Sequence, residues 1–382
     1  MSDTMMPEWL SSAQALAGFA GEIPENQPVA LDTEFQWSST YYPVLALVQF
    51  GIDRQHVGVA DALAIEEWQP LSRLLSSPSH QIILFSGAND LPLMVRACGG
   101  AEACLPANLF DVQLASAFCG GGMLSPALKR VVSQLLGIEL DKHETRSDWT
   151  RRPLTDSQMA YAGGDVALLP ELACIFTQQL ASNGNLAAFQ EEMAALCTPD
   201  FYAETPAEKA WQRLRNFHAL PSENARARAR ALATWREEYA RRRNLPRAWI
   251  LGDEQLLWLA EHNPRSGTAM SAMPPAGHGA GRHNHDAILE TLAKAEPGEE
   301  DKPLPQLKPV QREKLAALKN RLAGLVASRA ESRNIPAELL ASKRELEGVV
   351  FNYLAGRPYR VGRLFTGWRA QLLMPTMDDI LG

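Results

Sequence analysis

Short apolar runs, each closed by turn-forming or polar residues, recur through the first half of the chain. Val29–Glu34, Val44–Phe50 and Gln55–Ala60 read as β-strands close enough in sequence for an antiparallel meander. A helical spacing follows over Glu66–Leu75, a buried-strand run over 81–85 (QIILF), and a helix over Leu91–Ala97. The segment 108–118 (NLFDVQLASAF) passes from strand into helix. Three neighbouring strands followed by strand–helix alternation predict an α/β architecture, a mixed sheet with helices on its faces. In 153–172, Thr155 with Gln158 three residues on predicts a capping box opening a helix. Gly163 and Gly164 lie inside it, each costing about 1 kcal/mol relative to alanine. Close helix–sheet packing and the approach of something large are two compatible readings of them.

Beyond residue 204 the period turns helical. Ala225–Arg242 and Arg312–Arg333 each end at an Asn-hydrophobic-Pro breaker. The stretch 243–256 (RNLPRAWILGDEQL) aligns without gaps on 333–346 (RNIPAELLASKREL), so that Arg243, Asn244, Pro246 and Leu256 recur as Arg333, Asn334, Pro336 and Leu346, an offset of 90. Two small all-α modules related by duplication are predicted. Residues 263–286 between them are rich in Gly, Ala and Pro and read in part as a flexible linker. The predicted domains are therefore 1–204, 205–264, a partly flexible linker over 265–308, and 309–382.

The net charge of −7 hides an asymmetry. Residues 1–204 hold 9 basic and 24 acidic residues, net −15; 205–264 hold 11 and 7, net +4; 265–382 hold 17 and 13, net +4. An acidic front suits clustered carboxylates that hold metal, and an Arg-rich helical back suits a polyanion. Five cysteines without a C-x-x-C motif read as buried free thiols of a reducing cytoplasm. The eight histidines show no zinc spacing. No run of about 18 apolar residues predicts a membrane span. MSDTMMPEWL lacks a basic segment followed by an apolar core, so no secretory signal is expected.

The acids carry the chemistry. Asp32 and Glu34 share one face of a strand, because side chains alternate. Asp90 follows FSGAN at the end of another strand, and Asp165 lies four residues after Tyr161 on the capped helix, on the same face. Four such carboxylates can converge on two divalent cations, Mg²⁺ or Mn²⁺, about 3.5–4 Å apart. The cations convert mutual repulsion into ligation. Asp111, also at a strand end, is either near this site or a helix cap. Lys142, Arg146 and Trp149, just before the catalytic helix, are candidate contacts to phosphate or a terminal base. So are Phe35 and the arginines Arg226, Arg230 and Arg243 of the first helical module. For each, a packed or solvated role is the alternative.

LDTEF, the Asp90 segment and YAGGD resemble the three exonuclease motifs of the DEDD superfamily, and Tyr161 marks its tyrosine-bearing subgroup. The flanks LDTEFQWSSTYYPVLALVQFG and LDKHETRSDWTRRPLTDSQMAYAGGD are similar to the bacterial ribonuclease D family, and the helical modules resemble HRDC domains, the second diverged. The resemblance implies a ribonuclease H-like fold followed by two HRDC-like domains, and 3′→5′ hydrolysis of RNA, with tRNA precursor 3′ ends as substrate. It implies that Asp32, Glu34, Asp90 and Asp165 are metal ligands, with Asp32 bridging and Asp90 on the second metal. It implies that Tyr161 orients the attacking water. Phe85-Ser86-Gly87 replaces the family's common His-Ala-Gly, and Gly163-Gly164 stands where alanines are common. A cytoplasmic monomer without membrane contact is expected. A DNA exonuclease and a non-catalytic nucleic-acid-binding protein are the alternatives; retention of all four acids and the tyrosine weighs against the second.

Overall fold

The computed structural model describes residues 6–120, 122–140, 144, 147–275, 284–303 and 306–382. In chain order the first part runs β1 (Glu8–Leu10), α1 (Ala13–Gly21), β2 (Val29–Gln36), β3 (Val44–Gly51), β4 (Val57–Asp61), α2 (Gln69–Ser76), β5 (Ile82–Leu84), α3 (Asp90–Ala97), β6 (Leu109–Asp111), α4 (Val112–Phe118), α5 (Leu128–Leu136), α6 (Asp156–Ala167), α7 (Leu169–Ser182), α8 (Leu186–Leu196) and α9 (Pro199–Tyr202). The helical part continues with α10 (Glu223–Arg243), α11 (Arg247–Ile250), α12 (Asp253–His262), α13 (His285–Lys294), α14 (Pro309–Ser332), α15 (Ala337–Leu340), α16 (Lys343–Leu354) and α17 (Gly367–Leu381).

The strands form one six-stranded sheet ordered β1-β4-β3-β2-β5-β6. β3 and β4 pair antiparallel, whereas β1–β4, β2–β5 and β5–β6 pair parallel. The sheet is thus mixed, as predicted, with β2 near its centre. β1 was not apparent in the sequence: three residues are too short to show alternation. The Thr155–Gln158 capping box forms. Gly51 allows α6 to lie close on β3, since a Cβ there would stand 2.6 Å from the Val166 carbonyl oxygen. The two glycines of α6 divide their roles. Gly163 is buried, and an added Cβ would press Pro7 at 3.2 Å, whereas Gly164 faces open space.

The stretch Asp156–Ser182, α6 with α7, is on average apolar and long enough to cross a bilayer by length and composition alone, although it holds no uninterrupted apolar run of that length. Half of that window is buried inside the fold, and it carries Asp165, so it serves as a core helix pair. All five cysteines are free; only Cys104 is fully buried and Cys174 is exposed, so the expectation of buried thiols holds in part.

The chain divides into two compact units that differ from the predicted partition. One holds residues 1–36, 45–203 and 307–382; the other holds Trp37–Val44 and Glu204–Gln306. The second helical module shares the core of the sheet-containing unit. The Trp368 ring meets Phe118 with centroids 5.4 Å apart, and its backbone N–H donates to the Glu191 carboxylate at 3.0 Å. Arg369 donates to Glu192 and, at 2.9 Å, to the Leu339 carbonyl. In the other unit, much of the stretch read as linker is packed. Met270, Ile288 and Leu292 are buried with Leu232 and Leu256, and Asp301 is fully buried. Within each module a long helix ends on a left-handed asparagine, Asn244 at φ 49° and Asn334 at φ 52°. A Pro-led short helix (α11, α15) and a further helix (α12, α16) follow.

Candidate active site

The site is assembled where the middle of β2, the first turn of α3 and the second half of α6 come together. β2 supplies Asp32 and Glu34, α3 opens with Asp90, and α6 supplies Asp165 and, one turn earlier, Tyr161. These five residues, predicted from separate motifs, lie together. Their carboxyls act on one another electrostatically. Burial raises the Asp32 carboxyl well above the usual carboxylate range, and Asp90, Asp165 and Glu34 raise it further. Burial, then Asp165 and Asp90, push Glu34 up to about 8. Burial lifts Asp165 to about 7 against a hydrogen bond from the Tyr161 hydroxyl, which favours its ionised form. Burial lifts Asp90 to about 6 even though Thr33 donates a hydroxyl to it.

None of the largest influences on these four carboxylates is a cation. Buried acids without a positive partner are costly when ionised, and they are normally paired or bound to metal. Among the described residues no group of three or more Asp, Glu, His or Cys side chains is close enough together to hold a metal ion as it stands. Four hard oxygen donors in mutual electrostatic range fit Mg²⁺ or Mn²⁺ by donor type.

Tyr161 is set by packing as well as by its hydroxyl. Trp149, 3 % exposed, lies against it with ring centroids 5.9 Å apart, in a small apolar cluster with Ala46, Leu47, Val59 and Ala162. This corrects the expectation that Trp149 meets a terminal base: its ring is used up inside the fold, where it buttresses the tyrosine. Asp111 accepts the backbone N–H of Leu114 at 3.0 Å, capping α4. It also accepts those of Ser86 at 3.2 Å and Gly87 at 2.9 Å, in the turn that leads to Asp90. Both readings of Asp111 therefore describe it. Sequence reasoning passed over Thr33. The one signal was its position between the two acids of β2.

Phe35 is partly buried on β2 beside Glu34. Lys142 and Arg146, like His143 and His283, lie outside the described residues. In the helical unit, two of the three candidate phosphate contacts are committed elsewhere. Arg226, 5 % exposed, donates to the carbonyls of Asp301 and Leu220. Arg230 is ion-paired to the buried Asp301 at 2.6 Å. They fasten the segment 296–301 to α10 and have little left to offer RNA. Arg243 is exposed.

A 3′-5′ exonuclease family matches residues 7–181, and an HRDC domain matches 225–292. The chain is 30 % identical to ribonuclease D of Desulfotalea psychrophila, covering 95 % of this chain and 96 % of that one. It is 32 % identical to ribonuclease D of Escherichia coli strain K12, covering 98 % of each. The crystal structure of Escherichia coli RNase D, described as an exoribonuclease involved in structured RNA processing, superposes with a TM-score of 0.86 at 30 % identity over 99 % of both chains. The catalytic core of RRP6 from Trypanosoma brucei shares the fold at a TM-score of 0.61, 19 % identity, 77 % of this chain and 80 % of that one. Similarity to curated ribonucleases D along almost the whole length, with both domain matches in the order the motifs predicted, makes the chain a member of the ribonuclease D family, a 3′→5′ exoribonuclease.

Proposed function

We propose that the chain trims the 3′ ends of structured RNAs, tRNA precursors foremost, one nucleoside 5′-monophosphate at a time, as a cytoplasmic monomer. The observation that carries the reading is the meeting of Asp32, Glu34, Asp90 and Asp165, beside Tyr161, with no cation of the described residues among the main influences on them. Asp32, Glu34, Asp90 and Asp165 would hold the two divalent cations, Mg²⁺ or Mn²⁺, that the family resemblance implies. When bound, the cations align the phosphodiester, make water a better nucleophile and stabilise the leaving oxygen.

The protein's own groups do the remainder. The Tyr161 hydroxyl donates to Asp165, so tyrosine and carboxylate together orient a water toward phosphorus. Trp149 behind the ring limits its sway, which preserves the attack geometry. Attack breaks the bond to the 3′ oxygen of the preceding nucleotide. The departing unit keeps its 5′ phosphate, and the shortened RNA has a new 3′ hydroxyl. Gly164, with open space where a side chain would stand, leaves room on α6 for the terminal nucleotide. The substrate class follows from the structured-RNA role of the Escherichia coli relative and from family resemblance.

Matched RNA and DNA oligomers with free or blocked 3′ ends test this in Mg²⁺, Mn²⁺ or EDTA. The expected result is stepwise release of 5′-monophosphates from free 3′ ends of RNA, abolished by EDTA. Oligonucleotide products from a circular RNA, or an equal rate on DNA, would count against it.

A further inference from the structure

Asp90 differs from the other three acids in how it is held. Asp32 and Glu34 are fixed by a central strand, and Asp165 by mid-helix backbone and the tyrosine one turn back. Asp90 stands at the first residue of an eight-residue helix, after a turn, where its carboxylate takes a single backbone hydrogen bond, from its own N–H. Its backbone is anchored from below. Ser86 adopts φ 61°, a left-handed conformation rare for a residue with a side chain. Gly87 beside it has no room for a Cβ, which would stand 2.6 Å from the Leu84 side chain. Asp111, from the neighbouring strand β6, holds this kink by accepting both N–H groups. The Gly87 carbonyl then accepts the N–H groups of Asp90 and Leu91 at 3.1 and 2.9 Å, launching α3. Beyond a hydrogen bond from its own backbone N–H, the Asp90 carboxylate is steered by a side chain. The Thr33 hydroxyl, buried at 5 % exposure, donates to Oδ1.

We propose that Thr33 is a positioning residue for the metal site: its hydroxyl occupies one oxygen of Asp90 and aims the other at the cation. This rests on the metal-site reading above and deepens it. A hydroxyl fits the task because it donates one hydrogen bond without adding charge, so it orients Asp90 and leaves its negative charge for the cation. Hydrogen-bond partners of ligating carboxylates ordinarily contribute about 10–100-fold in metal affinity or activity.

The test uses the full chain and Mn²⁺ alone, titrated calorimetrically without RNA, followed by turnover on a 3′-hydroxyl RNA oligomer. Thr33→Val keeps the shape and removes the donor. It is expected to weaken Mn²⁺ binding about 10-fold or more and to lower kcat at saturating Mn²⁺, while KM for RNA stays within about 2-fold. Thr33→Ser restores the donor and is expected to recover Mn²⁺ affinity to within about 3-fold of the parent. Parental Mn²⁺ affinity in Thr33→Val would overturn the proposal. So would equal losses in the valine and serine variants, which would assign the effect to the packed methyl group. Asp90→Asn separates the two levels of the argument. If it binds Mn²⁺ like the parent, the metal-site reading falls and Thr33 with it. If it loses binding and Thr33→Val does not, only the role of Thr33 falls.

Discussion

Glu237, in the helical unit, is 1 % exposed and surrounded by donors. It accepts the Tyr41 hydroxyl at 2.5 Å, Arg247 through two nitrogens, Arg241 at 3.2 Å and Arg213 at 3.4 Å. Burial would raise its carboxyl, yet Arg247 and Tyr41 hold it down at about 2. Asp32, in the sheet unit, meets Asp90, Asp165 and Glu34, and its carboxyl is raised far above its ordinary value. One chain thus shows a carboxylate fully compensated by its neighbours and another opposed by them. Compensation marks an acid that holds structure together. Its absence among the described residues, in four acids at once, is what the proposed metal site requires, since a bound cation would supply the missing charge.

The largest expected effect tests that difference directly. Asp32→Asn is expected to lower hydrolysis of RNA by more than about 10³-fold, because it removes a carboxylate proposed to hold metal without altering shape. It is also expected to leave the metal-free melting temperature equal or higher, since a repelled carboxylate has gone. Activity above a few per cent, or a marked loss of stability, would break the comparison. Tyr161→Phe comes next. Loss of one preorganised donor commonly costs about 10²–10³-fold in rate, and the Trp149 packing survives in phenylalanine. Single-turnover rates at saturating RNA should fall on that scale, and binding titrations should scarcely move. A variant that bound RNA poorly but cleaved it normally would place the hydroxyl on substrate.

At Glu237 the sign reverses. Glu237→Ala strands Arg247, Arg241 and the Tyr41 hydroxyl, and hydrogen bonds to charged groups are worth about 1.5–3 kcal/mol each in the general case. Partial exposure of the arginines lets water recover part of this. A loss of about 2–3 kcal/mol in urea unfolding of the helical unit is expected on that scale, with cleavage of short RNA at the sheet unit's site nearly unchanged.

How far the comparison could be read from sequence depends on the distance between partners. Asp32, Glu34, Asp90, Tyr161 and Asp165 were legible because each sits in a local pattern: strand alternation, a strand end, a one-turn spacing on a capped helix. The arginines of α10 were not. In ARARAR, Arg226 and Arg230 stand four residues apart on one helix face, which looks like a phosphate grip until Asp301 is known to close on them, 75 and 71 residues further along. Trp149 likewise sits in a charged segment, and only the fold brings Ala46, Leu47 and Val59 over it. The stretch 285–301 looked like linker because its composition is dominated by the Gly/Ala/Pro run before it, while Ile288 and Leu292 are too few to show a period by themselves. Local chemistry survives in sequence; the identity of a remote partner does not.

The smallest effect is the most discriminating, because the two regions should respond to pH in opposite directions. Glu34, Asp165 and Asp90 have folded-state values of about 8, 7 and 6, all above those of the unfolded chain. The folded protein therefore holds more protons than the unfolded one between about pH 4 and 8, and the metal-free stability of the sheet unit should fall as pH rises through that window. The acids interact, so the decline belongs to the cluster and not to one residue. Glu237 has a folded-state value of about 2, below its unfolded one, so its contribution is present above about pH 4.5 and is lost as pH falls toward 2. Melting curves in EDTA at pH 5, 6, 7 and 8 should show the decline, and Mn²⁺ should offset it most at the alkaline end, where the carboxylates no longer need to release protons to bind. Asp32→Asn should flatten the curve and Glu237→Ala should leave its slope intact. A flat curve in the parent, or a slope abolished by Glu237→Ala, would show that the uncompensated acids do not govern the pH response of this fold.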